Sequence, residues 1–181
     1  MSKIDLIEAC KRNERKAQLR LYEKYCDAMF HVACRFLKDQ AEAEDAMQEA
    51  FITAFSKLHQ FTGESTFGAW LKKIVINKSL DFLRAKKMNL IALNEHVLET
   101  IEENEDWQVS ESITMEQVKA GIENLSEKYR YPIMLFLMEG YDHEEISEIL
   151  NITEVSSRTL VHRGKKMLQK ELKEKQYGTG S

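Results

Sequence analysis

Apolar side chains recur at helical spacing along most of the chain. Between residues 4 and 88 they form three runs whose members lie mostly three to five positions apart, as in the series Leu71, Val75, Leu80 and Leu83. This spacing places the apolar residues on one side of a helix. It predicts a small domain of packed helices at residues 4–12, 16–37, 41–58 and 67–87.

The pattern weakens between residues 91 and 112 and resumes at Ile113. Gly140 and Asn151 tolerate the left-handed backbone that ends a helix, and Thr153 is suited to cap the next one. Further helices are predicted at 113–124, 127–139, 143–150 and 154–175. The prediction is an all-α fold of two small helical domains, 1–90 and 113–177, joined by an acidic linker at 91–112.

Composition agrees with a helical protein, because the 181 residues include 7 Gly and 1 Pro. The net charge is −4, but the charge is unevenly distributed. Residues 91–112 hold seven acids and no Lys or Arg, residues 70–90 hold six basic residues against one acid, and residues 156–177 hold seven against two. Two basic blocks separated by an acidic one favour a nucleic-acid partner.

Several functional classes are disfavoured by the sequence. It has no apolar run long enough to span a bilayer and no apolar signal core near its start, which predicts a cytoplasmic protein without membrane insertion. The three cysteines lack C-x-x-C spacing, and His31 and Cys34 have no second pair of ligands nearby. Without a phosphate-binding glycine loop or a catalytic set of residues, no metal, no cofactor and no enzymatic activity are predicted.

The predicted helices at 143–150 and 154–175 follow each other almost directly. The second is rich in hydrogen-bonding and basic side chains, which is typical of a helix-turn-helix whose second helix enters the major groove. The alternative is a solvated basic face without a DNA partner. The candidate DNA-binding residues are Ser156, Arg158, Thr159, His162, Arg163, Lys165 and Lys166.

Three stretches of the chain, in this order, resemble the extracytoplasmic-function sigma factors of bacterial RNA polymerase. "AEAEDAMQEAFITAFSKLHQF" is similar to the family's polymerase-clamp-binding helix, "FGAWLKKIVINKSLDFLRAKK" to its promoter-melting helix, and residues 125–168 to its C-terminal helix-turn-helix domain. The resemblance implies a factor that binds core polymerase, recognises a two-part promoter and opens it. The partners implied are the beta-prime clamp and beta flap of core RNA polymerase, double-stranded and melted promoter DNA, and an anti-sigma factor.

The first stretch carries an acidic, hydrogen-bonding face. Glu42, Asp45 and Glu49 recur at helical spacing with Gln48 beside them, opposite an apolar face. The resemblance implies that this face binds a basic coiled coil on polymerase. An ordinary solvated face is the alternative.

The second stretch and the loop before it contain residue types that can bind melted DNA. Asn and Asp can bond base edges, Lys and Arg bind phosphate, and aromatic faces hold unstacked bases. The resemblance assigns the loop to a flipped promoter base; for Trp70, burial in the core is an equal alternative. The minus-ten candidates are Phe61, Thr62, Gly63, Glu64, Ser65, Phe67, Trp70, Lys73, Asn77, Asp81 and Arg84.

Four residues of the last predicted helix depart from the family pattern. Val155 stands where Gly is common, Ser157 where an apolar residue packs, Leu160 where a basic residue is frequent, and Gly164 where Ala is usual. These departures put the reading of upstream promoter DNA in question. They leave open recruitment by a second DNA-targeting protein.

Three alternatives concern the linker and the whole chain. The resemblance implies that the acidic linker follows the path of nascent RNA, whereas a plain soluble tether has the same composition. A stand-alone helix-turn-helix repressor or activator would leave the acidic face and the aromatic loop unexplained. A helical scaffold or decoy would keep the polymerase-binding face and lack DNA binding.

Overall fold

Every regular element in the part of the chain that the structure describes is helical. This computed structural model describes residues 3–87 and 113–178. Contacts between residues divide the chain into two units, Met1–Leu93 and Asn94–Ser181. The acidic linker expected at 91–112 lies outside the described residues.

Residues 3–87 of the N-terminal unit form four helices and one 3₁₀ turn. Asp39 caps the third helix by accepting a hydrogen bond from the backbone N–H of Glu42 at 3.1 Å, and Thr66 caps the fourth by accepting one from Ala69 at 3.2 Å. Each helix begins within one residue of its predicted start. The elements are α1 (Lys3–Lys11), α2 (Arg15–Phe36), α3 (Gln40–Ser56), the turn Leu58–Gln60 and α4 (Phe67–Lys87).

A stripe of alanines on α3 forms the centre of this unit. Ala43, Ala46, Ala50 and Ala54 are all buried and lie on one side of the helix. Because alanine projects only a methyl group, α2 and α4 can pack close to the α3 backbone. Larger apolar side chains complete the core, among them Leu21, Val32, Phe36, Leu71, Val75, Ile76 and Leu80.

The C-terminal unit differs from prediction at two helices. The helix expected at 127–139 changes at Met134 to a π-helical turn, in which the N–H of Glu139 donates to the carbonyl of Met134, five residues earlier, at 3.1 Å. The helix expected from Ile113 begins two residues later, because Thr114 caps it. The elements are α5 (Met115–Asn124), α6 (Glu127–Ile133), the π turn Met134–Met138, α7 (His143–Leu150) and α8 (Glu154–Gly178).

The turn between α7 and α8 has the predicted local chemistry. Asn151 adopts the left-handed conformation, with φ 55° and ψ 52°, and ends α7. Thr153 accepts a hydrogen bond from the N–H of Ser156 at 3.1 Å, which caps α8. Gly140, with φ 75°, follows the π turn. The helix-turn-helix arrangement of α7 and α8 is therefore confirmed.

Two glycines allow neighbouring helices to approach each other closely. A Cβ added at Gly164 of α8 would lie 2.5 Å from Cγ1 of Ile133 in α6. A Cβ added at Gly121 of α5 would lie 2.6 Å from Cδ1 of Leu168 in α8. Both distances are far below van der Waals contact, so helix packing explains the glycine at each position.

Candidate nucleic-acid interface

The predicted acidic face lies on the outer side of α3. Asp45 and Gln48 are exposed, and Gln48 donates a hydrogen bond to Glu44 at 3.2 Å. Glu42 and Glu49 instead form ion pairs with Lys86 and Lys78 of α4, at 2.5 Å and 3.6 Å. Two of the three predicted acids are thus partly neutralised within the unit, which leaves Asp45 at the centre of the acidic surface.

An exposed isoleucine extends this surface. Ile52 is 70% exposed and lies two turns after Asp45 on the same side of α3. Its neighbours in the chain are Phe51 and Thr53, so the apolar spacing gave no sign that Ile52 is exposed. The outer side of α3 therefore offers carboxylates, the amide of Gln48 and one large apolar group to a partner.

The aromatic residues before α4 form a small core. The ring centres of Phe61, Phe67 and Trp70 lie 5.4 to 5.8 Å apart, and Tyr25 of α2 packs against Phe67 at 5.3 Å. Phe61 is 9% exposed and Phe67 5%, whereas Trp70 is half-buried. The expectation that Phe61 and Phe67 offer their ring faces to bases does not match this arrangement, because both rings are occupied by neighbouring side chains.

The loop above this cluster is accessible. Thr62, Gly63, Glu64 and Ser65 are exposed, and Gly63 has the positive φ of 86° that favours glycine. Lys11 of α1 donates a long hydrogen bond to the carbonyl of Phe61 at 3.5 Å. The buried rings and this contact support the base of the loop, so its four exposed residues are the groups that can meet a ligand.

The predicted polar residues of α4 lie on one side of that helix, in two environments. Lys73 and Asn77 are half-buried and lie one turn apart. Asp81 and Arg84 are exposed and form an ion pair at 3.1 Å. The side of α4 that continues from Trp70 is therefore mixed in charge and rich in hydrogen-bonding groups.

The predicted DNA-binding residues of α8 occupy several environments. Arg158 pairs with Glu154 at 2.6 Å, and Lys165 lies over the ring of Phe136, 4.3 Å from its centre. Lys166 is exposed, while His162, Arg163 and Ser156 are half-buried. Thr159 is only 3% exposed, and its hydroxyl donates to the carbonyl of Val155 at 2.9 Å, so the expectation that it contacts DNA is not met in this arrangement.

The departures from the family pattern in α8 have structural explanations. Ser157 is fully buried, and its hydroxyl lies 3.1 Å from Nδ1 of His143, the first residue of α7. The imidazole of His143 in turn stacks on Phe136, with ring centres 5.1 Å apart. Leu160 is buried in the core and Gly164 lies against α6. A hydrogen bond thus replaces the expected apolar packing at Ser157, and α8 keeps its place.

Two family models match the chain, one on each unit. The model of Sigma-70 region 2 matches residues 21–88, and the model of Sigma-70 region 4 matches residues 115–168. Together they cover more than half of the chain. The chain belongs to the sigma-70 family.

Curated relatives define the type of sigma factor. The ECF RNA polymerase sigma factor SigW of Bacillus subtilis is 29% identical over 93% of this chain and 95% of its own length. The RNA polymerase sigma-H factor of Pseudomonas aeruginosa is 29% identical over 92% of each. The family models and these relatives identify an extracytoplasmic-function (ECF) sigma factor, which serves promoter-specific transcription initiation by RNA polymerase.

Solved structures share the fold of this sigma factor. CnrH, solved in complex with the cytosolic domain of CnrY, has a TM-score of 0.56 at 20% identity and covers 93% of this chain and 96% of its own. The sigma factor RpoE of Bartonella quintana, solved with the anti-sigma factor NepR, has a TM-score of 0.56 at 21% identity and covers 85% of this chain and 95% of its own.

Helix α1 precedes the matched regions, so its contact with the loop at Phe61 is a feature that the family models do not cover.

The described parts of the sigma factor contain neither a membrane-spanning helix nor a cluster of metal ligands. No helix within residues 3–87 and 113–178 is both long and apolar enough to cross a membrane. Within the same residues, no three His, Cys, Asp or Glu side chains come together as metal ligands would, and His31 and Cys34 are no exception. The three cysteines are free, and burial raises the pKa of each thiol.

Proposed function

We propose that this sigma factor uses its two units for two parts of the promoter. The outer side of α3 binds the beta-prime clamp of core RNA polymerase, the loop at 62–65 and α4 hold the melted minus-ten strand, and α8 reads the minus-thirty-five element. The observation that carries the proposal is that the region 2 and region 4 models each match one helical unit of a single chain. The domain limits proposed are 1–90 and 113–177, with the linker between them.

Within this proposal the sigma factor is not itself an enzyme, and polymerase forms the RNA. It acts in the cytoplasm, where polymerase meets the chromosome. The region 4 unit also approaches the beta flap of polymerase. An anti-sigma factor is proposed as a restraining partner, since the Bartonella quintana structure with a similar fold contains one.

Run-off transcription with core polymerase on a genomic promoter library tests the proposal. Addition of the full chain is expected to produce transcripts from a defined set of promoters.

Asp45→Lys should weaken binding to core polymerase, because Asp45 is exposed at the centre of the acidic surface. Glu23→Lys is the matched control, since it reverses an exposed acid of α2 that belongs to neither proposed surface. Equal core affinity of both variants and the parent chain would remove α3 from the proposal.

The minus-ten role is tested on residues whose side chains are not core. Asn77→Ala should reduce the open bubble seen by permanganate footprinting while core binding stays intact, because the amide can bond a base edge. Phe61→Ala is unsuitable for this purpose, since it would remove a buried ring and destabilise the unit. A normal bubble with Asn77→Ala would exclude this residue from the melted-strand surface.

A further inference from the structure

The outward side of α8 begins with an apolar residue. Val155, in the first turn of the helix, is 53% exposed. Helical spacing places it on the same side as His162 and Lys166, seven and eleven positions later. A β-branched residue is a weak helix former, and at this exposed position it gains nothing from the core.

The polar side chains around Val155 are already engaged within α8. Arg158 pairs with Glu154 at 2.6 Å, and the hydroxyl of Ser156 lies 2.8 Å from that of the cap residue Thr153. One turn later, the hydroxyl of Thr159 donates to the carbonyl of Val155. The exposed apolar group of the first two turns is therefore Val155, beside the ion pair of Glu154 and Arg158, whereas the following turns present His162 and the cation of Lys166.

An apolar side chain at the start of a helix that lies in the major groove can pack against one particular group of the DNA. The C5-methyl group of thymine is the apolar group that base pairs display in the major groove. In helix-turn-helix proteins, the N-terminal residues of the second helix meet the base edges. The basic residues farther along the same side suit the phosphates that flank such a contact.

We propose that Val155 reads the upstream promoter element by packing against the methyl group of a thymine. This inference rests on the proposed role of α8 at the minus-thirty-five element. It makes Val155, which the sequence marked only as a departure from glycine, a specificity-determining residue. A glycine at this position would have no side chain to make the contact.

The test uses the holoenzyme and removes single methyl groups from the DNA. Selection of upstream duplexes by the holoenzyme should enrich thymine at a position within reach of the start of α8. Replacement of that thymine by deoxyuridine removes its methyl group and leaves its hydrogen-bonding edge intact. The affinity of the parent holoenzyme should fall about fourfold, the value expected for one buried methyl-sized group.

Two variants separate this contact from a general effect of exposed apolar surface. Val155→Ala should bind the thymine duplex about as weakly as the parent binds the uracil duplex, and should be insensitive to the exchange. Its fold should be retained, because alanine is the better helix former. Met167→Ala, which removes another exposed apolar side chain of α8 (44% exposed), should keep the full response of the parent.

The outcomes distinguish this inference from the proposed function. A holoenzyme that initiates at its promoters but enriches no thymine, or is indifferent to uracil at each thymine of the element, overturns the role of Val155 alone. An unchanged response to uracil in Val155→Ala overturns it as well. If the chain does not bind core polymerase to form a holoenzyme, the proposed function is wrong, and this inference is wrong with it.

Discussion

At the residue scale, the structure resolves positions that the sequence marked as irregular. Ser157 was a departure from an apolar pattern, and its hydroxyl is satisfied by His143, fourteen residues earlier. Apolar spacing cannot reveal such a pair, because it records neighbours on one helix and not partners across a turn. The same limit applies to Phe61 and Thr159, whose residue types suit DNA contact but whose burial depends on their surroundings.

The bond between Ser157 and His143 should contribute to stability. Ser157→Ala is expected to lower the free energy of unfolding by about 1 to 3 kcal/mol, since it leaves the half-buried imidazole without this hydrogen bond. The double variant Ser157→Ala/His143→Phe should recover part of the loss, because both polar partners are removed and the stack on Phe136 is retained. Urea denaturation of the full chain measures both values. Ser156→Ala, which removes a neighbouring serine with local contacts, is the control, and an equal effect of the two alanine variants would contradict the prediction.

Tyr141 should make stability depend on pH in the alkaline range. Burial, followed by the charges of Glu139 and Glu145, raises the pKa of Tyr141 to about 12 from the ordinary value of 10.0. Between these values the folded chain keeps a proton that the unfolded chain loses, so stability falls as pH rises through this window. The loss is about 1 to 2 kcal/mol after allowance for the partial exposure of the ring.

The measurement compares the parent with Tyr141→Phe from pH 9 to pH 12, roughly the window set by the two ionisations. As pH rises, the unfolding free energy of the parent should fall relative to that of Tyr141→Phe. A difference that stays constant over this range would show that Tyr141 ionises alike in the folded and unfolded chains.

At the element scale, periodicity and capping predicted most of the helices. The start of α4 and both limits of α7 agree with prediction to the residue: Thr66 caps α4, Asp142 caps α7, and Asn151 ends α7. The π turn after α6 was missed, since the apolar run from Ile133 to Met138 is compatible with a continuous helix. The contacts between helices could not be predicted from the sequence. Gly164 is an example, because no residue near Gly164 in the chain indicates that Ile133 packs against this glycine.

Gly164→Ala should destabilise the C-terminal unit by about 1 to 3 kcal/mol, although alanine favours helix formation. The new Cβ would meet Cγ1 of Ile133, an atom close to the backbone that cannot easily move away. Gly121→Ala is the matched control, because its Cβ would meet the end of the Leu168 side chain, which can rotate. Thermal unfolding compares the two, and a more stable Gly164→Ala would contradict the packing argument.

At the scale of the whole molecule, the distribution of charge matters more than its sum. The chain has a net charge of −4, and the seven acids of residues 91–112 account for more than this, so the rest of the chain carries +3. The sequence alone identified both basic blocks. It could not show that two lysines of α4 are engaged by Glu42 and Glu49, since this pairing depends on how α3 lies against α4.

Neutralisation of the seven linker acids to Gln and Asn should strengthen binding of the free chain to non-promoter DNA by several-fold at about 50 mM salt. The difference should shrink near 200 mM salt, because screening weakens repulsion between the linker and DNA. A variant with the same acids in shuffled order keeps the charge and should behave as the parent does. Salt titrations of DNA binding measure all three proteins, and identical titrations would show that the linker does not restrain DNA binding.

The alanine stripe of α3 also sets how the two proposed surfaces of the N-terminal unit communicate. Glu42 and Glu49 of α3 pair with Lys86 and Lys78 of α4, so two ion pairs link the helices on which the proposed surfaces lie. In the core, methyl groups packed against a backbone leave little room for α3 to move without α4. A partner that displaces α3 should therefore move α4 with it, as one rigid layer.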